Sequence, residues 1–237
     1  MQRYFTNNKN NEYFKLDDGD QHHIKNVMRM SSNDLIEVVY KKEVYECIIE
    51  DISEFKIKVI KKLDSFIDNK PFVCIVVPLL KEQKLDYILM KATELGVDEI
   101  IFTNFSRSIV KLDDKKLDNK MSRWSRICKE ASEQSKRNNI PNLLFIKDFK
   151  DLKNLSGLNI ICSTQEKEKT IKNALKKANE YDRINIVIGP EGGISSLEEE
   201  YLEYNGYIKT TLGNRIMRVE TVPLYLLSII NYEFMEW

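Results

Sequence analysis

Alternation of apolar and polar positions dominates the first 70 residues of the chain. Three short runs, at 35–40, 44–49 and 55–60, alternate in this way and are separated by brief polar turns. Such spacing predicts an antiparallel meander or a small barrel. Before these runs, residues 20–30 carry apolar side chains at helical spacing, which predicts a helix with Asp20 as its N-cap.

From Phe72 onwards, apolar runs alternate with helical segments. Residues 72–77 form a continuous apolar run, which is typical of a strand buried on both faces of a parallel sheet. Repeated strand–helix alternation predicts a mostly parallel sheet with helices on both faces. The predicted strands are 72–77, 97–103, 142–146, 159–162, 184–188 and 208–212, and the predicted helices are 85–95 (stopped by Gly96), 119–138, 167–181 and 220–233.

A polar stretch at 64–71 ends in Pro71 and separates these two patterns. Such a segment is a reasonable linker. We therefore expect an α/β protein with two domains, 1–70 and 71–237.

Composition excludes several classes of protein. Hydrophobic residues make up 42% of the chain, enough for a core, and no run reaches the ~20 apolar residues of a membrane span. The four cysteines are scattered without CxxC spacing and there are two histidines, so we expect no metal site. Core-type cysteines and the lack of an apolar signal segment favour the cytoplasm. The formal net charge is zero, so any basic surface would have to be local.

Two loops near the C-terminal end are the strongest functional signal. Residues 188–195 read IGPEGGIS and residues 211–221 read TLGNRIMRVET, each following an apolar, strand-like run. Glycines at the carboxyl ends of neighbouring parallel strands are where open α/β sheets bind ligands. Pro190 stiffens the first loop, and Ser195 with Glu198 forms a capping box that predicts a following helix. The pair of loops therefore predicts a cofactor site.

Neither loop matches a common nucleotide motif. The G-x-G-x-x-G spacing of a dinucleotide fold and the G-x-x-x-x-G-K-[ST] of a P-loop are both absent. An ordinary strand–helix connection is the alternative for the first loop alone. The second loop weakens this alternative, because Arg215 and Arg218 stand among apolar residues there.

Taken together, the two loops resemble the ribosomal small-subunit RNA methyltransferase E family, of the SPOUT class of S-adenosylmethionine-dependent enzymes. The resemblance spans nearly the whole chain in order. It is also carried by RYF (3–5), HHIKNVMR (22–29), KATELGV (91–97), Arg107-Ser108, and the stretch from Trp124 to EASEQSKR (130–137) with Ile140-Pro141.

This resemblance implies a fold, a cofactor and a substrate. The fold would be a small N-terminal PUA-like β-barrel that binds RNA, followed by a SPOUT α/β domain whose C-terminal segment forms a deep trefoil knot around a mostly parallel sheet. The family binds S-adenosyl-L-methionine between the knot loops, releases S-adenosyl-L-homocysteine and works as a homodimer. Its substrate is N3 of a uridine in 16S rRNA of the 30S ribosomal subunit.

The reaction assigns roles to the loop residues. N3 of uridine must lose its proton before or during methylation. The negative charge that then spreads onto the flanking carbonyl oxygens needs positive groups or N–H donors to stabilise it. We expect Arg218 to serve this purpose, with Arg215 second; a salt bridge to Glu191 or Glu220 is the structural alternative. Glu191, Glu220 or solvent would take the proton. The residues expected to bind the cofactor are Ile188, Gly189, Pro190, Glu191, Gly192, Gly193, Leu212, Gly213, Ile216, Met217 and Arg218.

For RNA binding we expect basic residues outside the two loops. Phosphate contacts position a nucleic acid without reading its sequence. The candidates are Arg3, His22, Arg29, Arg107 and Arg137, although His22 and His23 could equally be structural residues, and the basic residues near the long predicted helix could pair with Glu130 and Glu133.

Two other functions stay open at this point. One is a SPOUT methyltransferase acting on transfer RNA or on ribose 2′-hydroxyls, which would not need the motif at 22–29. The other is a non-catalytic RNA-binding or assembly protein, which the intact glycines and arginines of both loops disfavour.

Overall fold

Two compact units make up the chain in a computed structural model, which describes residues 1–64, 70–110 and 114–234. The first unit comprises Met1–Asp68 together with Lys129–Ile140, and the second comprises Asn69–Cys128 and Pro141–Trp237. Residues 129–140 fall inside the domain that the sequence pattern assigned to 71–237. The central part of the predicted linker, residues 65–69, lies outside the described residues.

A six-stranded sheet forms the first unit. Its strands are β1 (Gln2–Phe5), β2 (Asn8–Asn10), β3 (Tyr13–Lys15), β4 (Leu35–Tyr40), β5 (Glu43–Asp51) and β6 (Lys56–Leu63), in the order β1-β4-β5-β6-β3-β2. The predicted meander is confirmed as β4–β5–β6, which pair antiparallel, whereas β1 pairs with β4 in parallel. Alternate residues of these strands, among them Ile36, Val38 and Ile49, are fully buried in one core cluster.

The helix predicted at 20–30 is shorter and begins earlier. It consists of α1 (Asp18–His22) followed by a π-helical turn at His23–Val27. Asp17 is the N-cap, because its carboxylate accepts a hydrogen bond from the backbone N–H of Asp20 at 2.8 Å. The prediction of Asp20 as the cap is therefore wrong; Asp20 is buried and pairs with Lys129 at 2.7 Å.

A second six-stranded sheet, entirely parallel, forms the second unit. Its strands are β7 (Phe72–Pro78), β8 (Glu99–Thr103), β9 (Asn142–Ile146), β10 (Leu158–Cys162), β11 (Arg183–Val187) and β12 (Ile208–Thr210), in the order β12-β10-β11-β7-β8-β9. Residues 73–77 of β7 are fully buried, so both faces of the sheet are covered, as the continuous apolar run predicted.

The helices that follow these strands are α2 (Glu82–Glu94), α3 (Asp114–Gln134), α4 (Ile171–Leu175), α5 (Ser196–Tyr204) and α6 (Val222–Phe234), with short 3-10 turns at Phe149–Asn154 and Ala178–Glu180. Gly96 follows the end of α2 with φ of +84°, as expected for a helix stop. The predicted helix at 119–138 ends early, because Lys136 takes a left-handed conformation with φ of +61°. Trp124 and Cys128 are buried, as predicted.

Candidate functional site

One cavity of about 580 Å³ lies where three neighbouring strands of the parallel sheet end. The loops that follow β10, β11 and β12 all line it, and these strands are adjacent in the sheet. This is the carboxyl edge at which open α/β sheets bind ligands, and the volume falls in the range of about 300–1,000 Å³ that is usual for small-molecule sites. The predicted pair of loops is thus brought together in one cavity.

The structure adds a third loop that the sequence pattern did not identify. Cys162 ends β10, and Ser163, Thr164, Gln165 and Lys167 follow it; all five line the same cavity. The backbone N–H of Ser163 donates to Thr210 of the neighbouring β12 at 2.9 Å. Polar residues directly after an apolar strand were the available signal, but only the strand order shows that β10 lies between β11 and β12.

The first loop, residues 188–195, is a tight turn that depends on glycine. The backbone N–H of Gly193 donates to the carbonyl of Pro190 at 2.8 Å, and Gly193 has φ of +71°. A Cβ at Gly189 would stand 2.8 Å from Cγ1 of Ile194, closer than real side chains approach. The loop therefore presents backbone rather than side chains to the cavity.

The predicted capping box is confirmed at the end of this loop. Ser195 is the N-cap of α5. Its side chain accepts a hydrogen bond from the backbone N–H of Glu198, and the side chain of Glu198 accepts one from the backbone N–H of Ser195. Ser106 adds a backbone N–H bond of 2.6 Å and a hydroxyl bond of 3.1 Å to Glu198. Burial alone would raise the pKa of Glu198, but the hydrogen bonds from Ser195 and Ser106 hold it below the usual value. The first loop is thus fixed to the segment that follows β8.

The second loop, residues 211–221, is more open. Gly213 has φ of +110°, which favours glycine, and nothing lies within 4 Å of where its Cβ would stand. Ile216 is 85% exposed, whereas Met217 is half-buried and Val219 is buried. An exposed isoleucine at a cavity wall leaves apolar surface available to a flat ligand.

Cationic side chains surround this cavity. Arg215 and Arg218 are exposed and line it, as does Arg107, whose Nη1 donates to the carbonyl of Gly192 at 2.8 Å. Arg107 was predicted among the RNA-binding residues and lies beside the predicted cofactor loops. Each of these arginines presents donors to the cavity.

The carboxylates near the cavity are paired with lysine rather than arginine. Lys84 lies 2.7 Å from Oε1 of Glu191 and 3.5 Å from Oε2 of Glu220. Within the described residues, neither Arg215 nor Arg218 forms an ion pair with these carboxylates. Glu220 is not among the residues that line the cavity, whereas the buried Glu199, which the sequence analysis did not select, is.

The other RNA-binding candidates lie in the first unit, and Arg3 is the most enclosed. Its Nε donates to Glu37 at 2.8 Å, and its Nη1 donates to the carbonyls of Lys136 and Arg137 and to Oδ1 of Asn138. These contacts hold the segment that follows α3 against β1. Structural bonds therefore use Nε and Nη1 of the Arg3 guanidinium.

Arg29, His22 and Arg137 differ in how far they are available. Arg29 and His22 are exposed, and Arg29 has φ of +52°. Arg137 is half-buried and donates to the backbone of Asn139 at 3.2 Å. His23, by contrast, lies 3.0 Å from the hydroxyl of Tyr4, which is a structural contact.

Among the described residues, no group of three His, Cys, Asp or Glu side chains is placed to hold a metal ion. None of the helices in these parts of the chain has the length and apolar character needed to cross a bilayer.

Two family models match the chain: an RNA methyltransferase domain at residues 68–231 and an RNA methyltransferase PUA domain at residues 16–62. The second match confirms the predicted PUA-like character of the N-terminal unit.

Named relatives match over almost their full length. The chain is 35% identical to the ribosomal RNA small subunit methyltransferase E of Bacillus subtilis (strain 168), over 98% of this chain and 97% of the relative. It is 32% identical to the protein of the same name from Mesomycoplasma hyopneumoniae (strain 232), over 96% and 98%.

A solved structure matches with the same coverage. It is a ribosomal RNA small subunit methyltransferase E from Neisseria gonorrhoeae bound to S-adenosyl methionine, with a TM-score of 0.86 over 99% of this chain and 98% of that one. Because the sequence identity is 23%, this likeness is one of fold.

Proposed function

Because this chain belongs to the ribosomal RNA small subunit methyltransferase E family, we propose that it uses S-adenosyl-L-methionine to methylate N3 of a uridine in 16S rRNA. The observation that carries the proposal is the cavity at the ends of β10, β11 and β12, with its glycine loops and its arginines. S-adenosyl-L-homocysteine is the second product. The cytoplasm, where ribosomal subunits are assembled, is the proposed location.

The residues of the cavity fit the cofactor. The backbone is open at Gly213, and the first loop presents main chain around Gly189 and Gly193. When bound, S-adenosyl-L-methionine supplies a methyl group on a sulfonium centre. The residues proposed to hold it are Ile188, Gly189, Pro190, Glu191, Gly192, Gly193, Leu212, Gly213, Ile216, Met217 and Arg218, together with the third loop at 162–167.

The proposed role of Arg218 is to stabilise charge on the substrate. Loss of the imide proton leaves negative charge on the two carbonyl oxygens beside N3, and a preorganised guanidinium stabilises such charge. Arg218 is exposed in the cavity and has no ion pair to Glu191 or Glu220 in the described residues. Arg107, in the segment that follows β8, donates to the carbonyl of Gly192 on the first loop and is a second candidate for contact with the RNA.

The proton acceptor stays a choice between carboxylate and solvent. Glu191 lines the cavity and is the better placed of the two predicted carboxylates. Glu220 does not line the cavity, and its Oε2 lies 3.5 Å from Nζ of Lys84. A general base must come within hydrogen-bond reach of N3, either directly or through one water.

For RNA binding we propose the exposed His22 and Arg29 of the PUA-like unit first. Arg137 is half-buried, and Arg3 donates four hydrogen bonds within the first unit, so we place these two second. Phosphate contacts from such a surface position the 30S subunit while the cavity selects the base.

The proposed trefoil knot is supported by the backbone around Thr211. Its N–H donates to the carbonyl of Lys169 at 2.8 Å, and its carbonyl accepts from the N–H of Ile171 at 3.1 Å. Directly before it, β12 pairs with β10. The chain that enters the second loop is therefore held between β10 and the segment that follows β10, which is the arrangement that a threaded chain needs.

The proposed homodimer is supported by the outer face of α6. Leu226, Leu227 and Ile230 face the core, yet Tyr225 and Tyr232 on the other side are exposed. A helix that is apolar on both sides is expected to be covered on both. A second copy of this chain would supply that cover.

Mass mapping of 16S rRNA from a strain that lacks this protein tests the function. We expect a single uridine to lose its N3-methyl group, and purified protein with S-adenosyl-L-methionine to restore it on isolated 30S subunits. Persistence of the mark in the deletion strain would overturn the proposal. Methylation of transfer RNA or of a ribose hydroxyl would favour the alternative SPOUT activity, and failure to bind S-adenosyl-L-methionine in calorimetry would favour a non-catalytic protein.

A further inference from the structure

Lys84 occupies a position at the cavity that neither loop motif predicts. It lies in the first turn of α2, more than 100 residues before the two loops in sequence, and it lines the cavity. Its side chain is 33% exposed. The hydrogen bond to Glu191 raises the pKa of Lys84 above its usual value, so the side chain is positively charged throughout the neutral range.

Lys84 contacts a carboxylate on each loop. Its Nζ donates to Oε1 of Glu191 on the first loop at 2.7 Å. The same atom lies 3.5 Å from Oε2 of Glu220 at the end of the second loop. These loops follow β11 and β12, which β10 separates in the sheet. One side chain from a third element therefore links two loops that the sheet itself holds apart.

The environment of Glu220 makes this link specific. Its Oε2 is buried and has no hydrogen-bond partner among the described residues. A buried carboxylate oxygen is costly unless a cation or donor lies near it. Among the described residues, the cation that forms an ion pair with Glu220 is Lys84. Its ammonium group therefore lies close to an oxygen that otherwise has no partner.

A purely structural ion pair would not explain the placement. The side chain of Lys84 is one-third exposed and two carboxylates share its ammonium group, so solvent screening and this sharing limit what the two pairs contribute to global stability. The free energy of unfolding is therefore a poor reason for a lysine at this position. The two contacts of Lys84, in contrast, tie Glu191 of the first loop and Glu220 of the second loop to the same side chain.

We propose that Lys84 is a positioning residue that sets the relative placement of the two loops through Glu191 and Glu220, so that the cavity has its binding geometry before the ligand arrives. The inference rests on the proposed function, because it takes S-adenosyl-L-methionine as the ligand of these loops. It makes Glu191 and Glu220 anchors of the loops. Preorganisation of this kind improves affinity by lowering the cost of ordering on binding.

The test compares three variants of the full-length protein. Lys84→Met removes the ammonium group and keeps an unbranched stem, whereas Lys84→Arg keeps the charge. Lys81→Met is the matched control: Lys81 precedes the same helix, is exposed and does not line the cavity. Hydrogen exchange of the cofactor-free variants is measured first, and affinity for S-adenosyl-L-methionine and S-adenosyl-L-homocysteine is measured by calorimetry.

For Lys84→Met we expect faster exchange at 189–193 and 213–220 and an affinity reduced about tenfold, which corresponds to about 1.4 kcal/mol. The melting temperature should fall slightly, because the buried Oε2 of Glu220 loses its nearby cation. Lys84→Arg restores most of the affinity, and Lys81→Met matches the wild type. Glu220→Gln in the Lys84→Met background adds less than it does alone, because the two residues act through one contact.

Two results would overturn the inference. If Lys84→Met exchanges and binds as the wild type does, Lys84 does not position the loops. If Lys84→Arg and Lys81→Met lose affinity as severely, the effect belongs to α2 as a whole. Failure of the wild type to bind either ligand would instead reject the proposed function, so the two failures are distinguishable.

Discussion

At position 189 the first loop closes so tightly that only glycine fits. A Cβ there would meet Ile194 at both its side chain and its backbone N, the latter at 3.0 Å. Gly213 is constrained in another way, by φ of +110° with open space around it. The sequence predicts both glycines as ligand-binding positions, but the two physical reasons become visible only in the structure.

Gly189→Ala should therefore weaken both the loop and its ligand. Overpacking of a tight site costs about 1–3 kcal/mol, and the strain falls on residues that line the cavity. We expect a lower melting temperature and weaker binding of S-adenosyl-L-methionine, measured by thermal denaturation and calorimetry. Gly206→Ala is the control, because Gly206 lies at the end of α5 and does not line the cavity. Its φ of +86° makes alanine strained there too, so this variant should lower the melting temperature without weakening the ligand. Equal affinity losses in both variants would contradict a local effect at the cavity.

Arg218 allows a sharper separation between binding and chemistry. Arg218 is one of eleven residues proposed to hold the cofactor, so we expect Arg218→Ala to retain most of its affinity for S-adenosyl-L-methionine. We expect it to lose about 10²–10³ in kcat, the usual effect of removing one donor to a developing negative charge. Calorimetry and single-turnover methylation of 30S subunits measure the two quantities. Equal loss of both would make Arg218 a cofactor-binding residue. Arg215→Ala, on the same loop, is the comparison and should reduce kcat less.

At the scale of elements, long apolar strands were predictable and locally bonded segments were not. The strands of the parallel sheet follow from continuous apolar runs, whereas β2 and β3 have three residues each and no usable period. Of the helix predicted at 167–181, only Ile171–Leu175 is α-helical, and Ala178–Glu180 form a 3-10 turn. The prediction is also wrong over its first four residues. There Oε1 of Glu166 accepts N–H bonds from Lys167, Glu168 and Lys169 at 2.8–3.2 Å, an arrangement that competes with helix formation.

The consequence of that competition is functional. Because residues 163–170 stay out of the helix, α4 begins only at Ile171, with Thr170 as its N-cap. Lys167 and its neighbours then line the cavity, and Thr170 pairs with Thr211 of the second loop. A helix that began at residue 167, as the sequence pattern predicted, would have taken this part of the third loop out of the cavity. For this reason the pattern did not indicate the third loop as part of the site.

In the first unit, carboxylates of α1 and α3 gather around Lys129, with Asp20 buried, Glu133 half-buried and Asp17 exposed. Asp17, Asp20 and Glu133 surround Lys129, with His23 and Tyr4 also near. Burial, followed by the charge of Asp20, raises the pKa of Glu133 to about 8. In the folded state Glu133 therefore holds a proton that the unfolded chain releases near pH 4.5.

From this cluster we predict a pH-dependent gain for Glu133→Gln. A raised carboxyl pKa means that stability falls as pH rises from about 4.5 through 8, because the unfolded state binds fewer protons in that window. Glutamine keeps the volume and an acceptor but cannot ionise. Urea denaturation should show Glu133→Gln more stable than the wild type at pH 9 and little different at pH 5. Glu130→Gln, exposed on the same helix, should show no such trend. A pH-independent difference would contradict the assignment.

At the scale of the whole molecule, a net charge of zero means that any basic surface must be balanced by acidic residues elsewhere on the molecule. Basic residues line the cavity, where the family resemblance implies an RNA substrate. Neither the net charge nor the amino-acid composition of the chain indicates them. The likeness of the motifs predicted the N-terminal PUA-like unit, but the assignment of residues 129–140 to that unit depends on long-range contacts. Such contacts leave no local pattern in the sequence.

The outer face of α6 carries the last prediction, which concerns assembly. Seven residues line a groove of about 460 Å³ on this face: Met217, Thr221, Leu224, Tyr225, Ser228, Ile229 and Tyr232. Tyr232 is 81% exposed, and Met217 lines both this groove and the cavity. A dimer formed here would therefore support a wall of the site.

Replacing both Tyr225 and Tyr232 by Asp should give a monomer with weaker cofactor binding. In a two-fold interface each new carboxylate meets the same apolar patch of the partner, and juxtaposed like charges cost several kcal/mol. Sedimentation velocity measures the assembly state, and calorimetry the affinity for S-adenosyl-L-methionine. Tyr204→Asp is the control, because Tyr204 is 91% exposed on α5 and outside the groove. A wild type that sediments as a monomer would refute the dimer. A monomeric variant with full affinity would keep the dimer but remove its link to the site through Met217.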